Sequence, residues 1–180
     1  MRFTDSDLQQ DYFRLFDLPP GFALDLSRLE QAYRALQTQV HPDTAAHLSD
    51  VEQRLAMQYS TRVNEAYQTL RNPLRRGRYL LSLRGVDTQE ETNTAMPLDF
   101  LMAQMNWREE IADARASADA DALDGIASRL RAETRLLENQ LSAALDEVAD
   151  NALAAELVRK LRFMEKLAEE IHSAYDAIDV

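Results

Sequence analysis

The chain has 180 residues, of which 46% are hydrophobic, and its formal net charge is −11 at neutral pH. It contains no cysteine, which excludes disulfides, thiolate chemistry and zinc or iron–sulfur clusters held by cysteines of this chain alone. With only 4 Gly, 5 Pro and few β-branched residues, the composition predicts an all-α fold.

The charge is unevenly distributed along the chain. Residues 1–83 carry ten basic and ten acidic side chains, whereas residues 84–180 carry ten basic and 21 acidic ones. This difference predicts two modules with different partners. A net acidic chain lacks the basic surface that nucleic acids and anionic membranes attract, and no apolar stretch is long enough to span a bilayer. We therefore expect a soluble cytoplasmic protein with no nucleic-acid or membrane partner.

The N-terminal part contains four predicted helices, at about residues 11–17, 26–40, 49–71 and 73–83. Asp25 suits the N-cap of the second helix, and Ser49 with Glu52 forms an S-x-x-E capping box for the third. Gly85 is expected to end the fourth helix. The apolar spacing in the third helix predicts an inward face made of Met57, Val63, Ala66, Tyr67 and Leu70.

The loop between the second and third helices contains the tripeptide His41-Pro42-Asp43. Proline fixes the backbone between two polar side chains, and a carboxylate such as that of Asp43 can accept a bidentate contact from an arginine of a partner. The triplet therefore suits a recognition point. The alternative is that Asp43 only caps a turn and Pro42 only ends a helix.

The C-terminal part begins after a polar, aperiodic segment at residues 85–96, which predicts a linker. Three amphipathic helices follow, at about residues 97–116, 120–148 and 151–178, and their short connections predict an antiparallel bundle. The predicted seam of the second bundle helix consists of Leu123, Ile126, Leu130, Leu137, Leu141, Leu145 and Val148. That of the third consists of Leu153, Leu157, Leu161, Met164, Ala168, Ile171, Tyr175 and Ile178.

The first bundle helix has more apolar residues than one face can hold. At about 100° per residue, Gln104, Trp107 and Ile111 fall on the side of Phe100. The second stripe contains Leu98, Leu101, Met102 and Met105. We assign Phe100, Trp107 and Ile111 to the core because they are bulkier, which leaves the Leu/Met stripe as a candidate contact surface. In the third bundle helix, Phe163 lies about 100° from the seam residue Met164 and is a candidate hot spot.

The N-terminal part, residues 1–84, resembles a J-domain. The likeness is carried by DYFRLFDLP, by the His-Pro-Asp tripeptide between paired helices, and by VNEAYQTLRNPLRRGRYL at residues 63–80. The resemblance implies docking on an ATP-bound DnaK-type chaperone and stimulation of its ATP hydrolysis. The implied chaperone-binding residues are His41, Pro42, Asp43 and Arg34.

The chain departs from the usual J-domain pattern in its charge. J-domains usually have several basic residues before the tripeptide and a lysine after it, whereas here two arginines, including Arg34, are offset by two acids and residue 44 is Thr. We therefore expect weak electrostatic steering, unless an arginine elsewhere, such as Arg62, compensates.

The C-terminal part extends the resemblance to one kind of J-protein. PLDFLMAQMNWREEI and VRKLRFMEKL, together with YLLSLRGVD, resemble the HscB family of iron–sulfur cluster assembly. This resemblance implies that the bundle, residues 97–180, binds the scaffold protein IscU for delivery to the DnaK-like chaperone HscA. The matching scaffold-binding positions are Leu101, Met102, Met105, Asn106, Glu109, Asp113 and Phe163. The absence of the cysteine-bound zinc segment found in eukaryotic members implies a bacterial origin.

Other functions have less support. The main alternative is a helical structural or coiled-coil protein that self-associates through the Leu/Met stripe, whereas the main hypothesis predicts a monomer. No P-loop, H-E-x-x-H or nucleophile elbow is present, so we expect neither an enzyme nor a cofactor. The three histidines, His41, His47 and His172, match no strong metal-ligand spacing, so no metal site is predicted.

Overall fold

The computed structural model describes residues 9–39, 49–90 and 96–178, and within these ranges the ordered elements are helices, without a strand. The predicted all-α class is therefore confirmed. The contacts divide the chain into two compact units, Met1–Leu80 and Leu81–Val180. No helix in the described ranges is long and apolar enough to cross a membrane.

Unit 1 contains α1 (Tyr12–Leu15), α2 (Leu26–Gln39), α3 (Asp50–Arg71) and most of α4 (Pro73–Leu83). Its helix ends are set by local side-chain caps. Asp25 Oδ1 accepts hydrogen bonds from the backbone N–H groups of Ser27 and Arg28, at 2.9 and 3.1 Å. The Ser49–Glu52 capping box is complete, as predicted. Gly85 follows α4 with φ +73°, a left-handed conformation that glycine adopts without steric penalty.

The core of unit 1 forms where α3 packs against α1 and α2. The buried face of α3 is Ala56, Tyr59, Val63, Ala66 and Leu70, which repeats every three or four residues. The prediction for Met57 was wrong, because that side chain is 72% exposed. Met57 is six residues before Val63, which places it about 120° away around the helix.

Unit 2 contains α5 (Leu98–Ala116), α6 (Ala120–Ser142) and α7 (Asn151–Ile178), with a π-helix, Ala143–Glu147, at the end of α6. The three helices pack on one another as a bundle. Consecutive helices run antiparallel, and α5 and α7 are therefore parallel, as the contacts of Phe100 with Phe163 and of Arg108 with Glu170 indicate. The seam includes Leu123, Leu130, Leu141, Leu157 and Leu167, all nearly or fully buried.

Three predicted seam residues of the bundle were assigned wrongly: Val148, Leu153 and Ala168. Ala168 is exposed because the buried position of that turn is Leu167, about 100° away around the helix. Val148 is 69% exposed because it follows the π-helix, whose wider turn shifts the helical phase. Leu153 is also exposed, and the seam of α7 starts instead at the fully buried Ala154. From Ala154 the spacing of three and four residues continues to Leu157 and Val158.

The segment after α4 is held against the bundle by two arginines. Arg84 donates to the Leu145 carbonyl of the π-helix at 2.9 Å and to Asn151 Oδ1 at 3.0 Å. Arg159 of α7 donates to the Thr88 carbonyl at 3.1 Å. These contacts position the segment at residues 84–90 within unit 2.

Candidate partner-binding sites

The tripeptide His41-Pro42-Asp43 lies outside the described residues, which end at residue 39 and resume at residue 49. The helices on either side of it are described. Tyr33 of α2 stacks on Tyr67 of α3 with ring centroids 4.0 Å apart and planes within 13°. Asn64 Oδ1 accepts hydrogen bonds from the Tyr33 hydroxyl at 2.9 Å and from Gln37 Nε2 at 2.6 Å. These pairs show that α2 and α3 form an antiparallel hairpin.

Arg34, the predicted chaperone contact on α2, is already ion-paired. Arg34 is exposed, but its Nη2 lies 2.5 Å from Glu30 Oε1 one turn earlier. Arg62 does not compensate, because its Nη2 donates to the Gln10 carbonyl at 2.6 Å and its guanidinium covers the ring of Tyr12. Arg62 therefore stabilises unit 1 rather than presenting a charge to a partner.

A second aromatic pair in unit 1 joins α1 to α4. The rings of Tyr12 and Tyr79 stack at 4.3 Å, and the Tyr79 hydroxyl accepts a hydrogen bond from the Tyr12 backbone N–H at 2.9 Å. Burial, with a hydrogen bond to the Glu65 carboxylate, raises the pKa of Tyr12 to about 12. Burial is also the main cause of the raised pKa of Tyr79.

The two faces of α5 differ in burial largely as its helical geometry predicts. Gln104 and Ile111 are 3% and 5% exposed. Phe100 and Trp107, predicted to be in the core, are only half-buried. Each of these two rings is covered by a cation, Lys160 over Phe100 at 5.6 Å and Arg129 over Trp107 at 5.0 Å. Both rings therefore lie at the edge of the core, each with the charged group of a basic side chain over its face.

The Leu/Met stripe is exposed to solvent. Leu101, Met102 and Met105 are 36%, 58% and 70% exposed. Beside them, the half-buried Phe163 of α7 contacts Phe100 edge-on, with ring centroids 5.9 Å apart and planes at 71°. We call Leu101, Met102, Met105 and Phe163 the apolar patch. Phe163 is included because its ring meets that of Phe100, the residue before Leu101.

Polar side chains border the apolar patch on α5. Asn106, Glu109 and Asp113 are all exposed. Asn106 and Glu109 follow Met102 and Met105 by four residues, so they extend the same side of the helix. On α7, Lys166 is exposed beside Phe163, whereas Lys160 is largely buried and paired with Glu156. The predicted scaffold-binding positions therefore all lie on accessible surface of unit 2.

The sequence of this chain is similar to those of known proteins. Residues 96–172 match the family model described as the HSCB C-terminal oligomerisation domain. A co-chaperone protein HscB homolog of Chromobacterium violaceum is 59% identical over 172 residues, which cover 96% of this chain and 97% of that protein. The chain belongs to the HscB co-chaperone family.

Solved HscB structures share the fold. The chaperone HscB from Vibrio cholerae is 39% identical and aligns with a TM-score of 0.83 over 94% of this chain and 99% of that one. Human co-chaperone protein HscB is 34% identical and aligns with a TM-score of 0.86 over 92% and 82% of the two chains. The predicted architecture, a J-domain followed by a helical bundle, is that of the HscB family.

Three features of the HscB-like site were missed by sequence reasoning. Phe100 forms part of the surface around the apolar patch, although its bulk suggested a core position. The buried amide of Gln104 has no hydrogen bond to any residue in the described part of the chain. Lys160 and Lys166 lie over the two rings that meet at the patch. In VRKLRFMEKL, each lysine lies three residues from Phe163. Only the packing of α5 on α7 shows that both lysines lie over aromatic rings.

Within residues 9–39, 49–90 and 96–178, no three His, Asp or Glu side chains are grouped closely enough to hold a metal ion. The apolar patch itself offers apolar contact, with exposed acidic groups on α5 and a lysine on α7 beside it.

Proposed function

We propose that this protein is a two-site co-chaperone of iron–sulfur cluster assembly. Its bundle binds the scaffold protein IscU through the apolar patch, and its J-domain delivers the scaffold to the DnaK-type chaperone HscA. The tripeptide His41-Pro42-Asp43 stimulates ATP hydrolysis by that chaperone. The observation that carries this proposal is the exposure of the apolar patch in a chain of the HscB family.

The apolar patch supports a binding role because it leaves large side chains in water. An exposed apolar surface is covered only when a partner binds, and burial of methionine and leucine side chains then contributes to the affinity. Met102 and Met105 are unbranched, so they can adapt to the shape of a client. Asn106, Glu109 and Asp113 are proposed to contact polar groups of IscU around this apolar centre.

At the chaperone-binding end, the α2–α3 hairpin supports the segment that contains the tripeptide. The Tyr33–Tyr67 stack and the hydrogen bonds of Asn64 hold the C-terminal half of α2 against α3. Pro42 fixes the backbone between His41 and Asp43, which reduces the conformational entropy lost on docking. Arg34 is proposed as a chaperone contact, although docking there must replace or share its ion pair with Glu30.

Coupling between the two sites needs no conformational signal. Joining a client-binding bundle to a J-domain raises the effective concentration of the client at the chaperone. We therefore expect HscA turnover to rise more with this protein and IscU together than the separate effects predict.

The first experiment measures steady-state ATP hydrolysis by HscA. His41→Gln is expected to abolish stimulation while the far-ultraviolet circular dichroism stays that of the wild type. His47→Gln, which changes a histidine of the same segment outside the tripeptide, is the matched control and should stimulate normally. Full stimulation by a folded His41→Gln protein would refute the role of the tripeptide.

The second experiment titrates IscU by calorimetry. The triple variant Leu101→Ala, Met105→Ala and Phe163→Ala is expected to weaken binding by roughly 100-fold or more, as hot-spot truncations do. The control truncates three exposed apolar residues of the same unit outside the patch, Leu136, Val148 and Leu153, all to Ala. Equal affinity of the two triple variants would contradict the proposal.

A second candidate function is self-association through the same patch, which the description of the matched family model as an oligomerisation domain favours. Sedimentation velocity at rising protein concentration separates the two. A monomer at every concentration supports client binding. Oligomers that the apolar-patch triple variant dissolves would support self-association.

A further inference from the structure

The lysines of this chain are confined to one place. Of its 20 basic residues only two are lysines, Lys160 and Lys166, and the other 18 are arginines. Lys160 Nζ lies 5.6 Å from the ring centroid of Phe100, and Lys166 Nζ lies 5.8 Å from that of Phe163. These two rings contact each other edge-on at the apolar patch. Both lysines therefore place their ammonium groups on the same aromatic pair.

The basic groups nearby differ in whether they are already paired. Lys160 is largely buried and lies 2.7 Å from Glu156 Oε1. Arg162 is paired with Glu165, and Arg159 donates to the Thr88 carbonyl. Lys166 is exposed and makes no ion pair with any residue of the described ranges. Its ammonium group is thus the available positive charge beside Phe163.

The positive charge of Lys166 lies in a unit whose net charge is negative. Residues 84–180 carry 21 acidic and ten basic side chains, so an acidic group of a partner is repelled by most of unit 2. On the α5 side of the apolar patch, Glu109 and Asp113 are exposed and negative. A partner carboxylate can approach favourably on the α7 side, next to Lys166, and there it also meets the apolar patch.

We propose that Lys166 binds a carboxylate of the client scaffold, and that Lys160 is a positioning residue that holds the ring of Phe100 against Phe163. This inference rests on the proposed function and adds the chemistry of the client surface. The client segment that covers Phe163 carries an acidic side chain beside its apolar contacts. Because Glu109 and Asp113 face the opposite edge, the same arrangement sets the orientation of the client on the patch.

The ring under Lys166 strengthens this contact. When an apolar group of the client covers Phe163, water is excluded from the ammonium group as well. Both the attraction between the ammonium group and the ring and its attraction to a carboxylate increase in the less polar surroundings. A lysine keeps its apolar stem on the aromatic ring while its charge points to the partner.

The test uses the full-length protein and IscU in calorimetric titrations. Lys166→Met keeps the apolar stem and removes the charge, so affinity should fall about two- to fivefold. Lys166→Glu adds repulsion and should weaken binding by roughly tenfold or more. Arg135→Glu, an equal charge change at an exposed position of α6, is the control and should alter affinity less than about twofold. The loss in Lys166→Glu should shrink as salt is raised.

A measurement on the unmodified sequence gives an independent check. Because only two side chains carry a primary amine, acetylation by a limiting reagent can be followed at Lys160 and Lys166 by mass spectrometry. Saturating IscU should slow acetylation of Lys166 by about fivefold or more, because only the neutral amine attacks the reagent and an ion pair with a carboxylate keeps the lysine protonated. Unchanged acetylation of Lys166 in the saturated complex would overturn the inference.

The titrations of the two sets of variants distinguish loss of the carboxylate contact from loss of the client site. If the Lys166 variants bind like wild type while the apolar-patch triple variant does not, only the carboxylate contact is refuted. If the apolar-patch triple variant also binds like wild type, the client site itself is refuted. A wild-type affinity in Lys166→Met with a loss in Lys166→Glu would show that the position is at the interface without a carboxylate partner, which also refutes the contact.

Discussion

Gln104 provides a direct test of the energetics of the bundle. Its side chain is 3% exposed on the inner face of α5, and neither its Nε2 nor its Oε1 forms a hydrogen bond with any residue of the described chain. A buried polar group without a partner destabilises a fold by about 1–3 kcal/mol. We expect Gln104→Met to raise the free energy of unfolding by about 2 kcal/mol, since methionine has a similar volume and no amide to desolvate. For a protein of this size that corresponds to an increase in Tm of roughly 4–8 °C.

Urea denaturation followed by tryptophan fluorescence measures this effect in the relevant unit. Trp107 is the single tryptophan of the chain, and it lies on α5 three residues after Gln104. The matched control is Gln140→Met at an exposed position of α6, which should change stability by less than about 0.5 kcal/mol. The affinity for IscU should stay the same in Gln104→Met, because the altered side chain faces the interior.

The result that refutes this reasoning is a loss of stability. If Gln104→Met lowers the free energy of unfolding by about 1 kcal/mol or more, the amide must be satisfied, for example by an internal water molecule. The bundle core would then include a polar contact that contributes to its stability rather than opposing it.

Two further predictions concern local features. Because burial raises the pKa of Tyr12 to about 12 while an unfolded tyrosine titrates near 10, the unfolded state loses protons first and the free energy of unfolding should fall as pH rises through this interval. Tyr12→Phe should reduce that fall, which urea titrations at several values of pH can measure, and an unaltered pH profile would contradict the assigned environment. Gly85→Ala should destabilise the protein by about 1–2 kcal/mol, because φ there is +73° and no atom lies within 4 Å of the added methyl group, so that backbone strain is the main term. Thermal denaturation measures it, and a neutral substitution would show that the helix end relaxes into another conformation.

Much of the helical framework was predictable because its signals are local. The caps at Asp25 and Ser49, and the glycine that ends α4, act within a few residues of their own position in the chain. The exposed Leu/Met stripe of α5 was also predictable, since the angular separation of two apolar stripes on one helix depends only on their spacing. Helical geometry had thus already singled out Leu101, Met102 and Met105.

Other features of the site depend on helices far apart in sequence. Bulk alone assigned Phe100 to the core, but contact with Phe163 and Lys160 places it at the surface edge. The π-helix before Val148 changes the helical phase, and no regular period of the sequence predicts that change. Arg62 was named as a residue that could compensate for weak steering, yet its guanidinium donates to the Gln10 carbonyl and covers the ring of Tyr12.

By itself the sequence determined the all-α class, the helix ends and the stripe of α5, because these follow from hydrogen bonds and periodicity within single helices. Only the tertiary structure decided which charges remain available and which rings meet. Lys166 acquires its proposed role because α7 packs beside α5 and brings two distant phenylalanines together. Burial and pairing depend on the distance between side chains in space, and separation along the chain does not specify that distance.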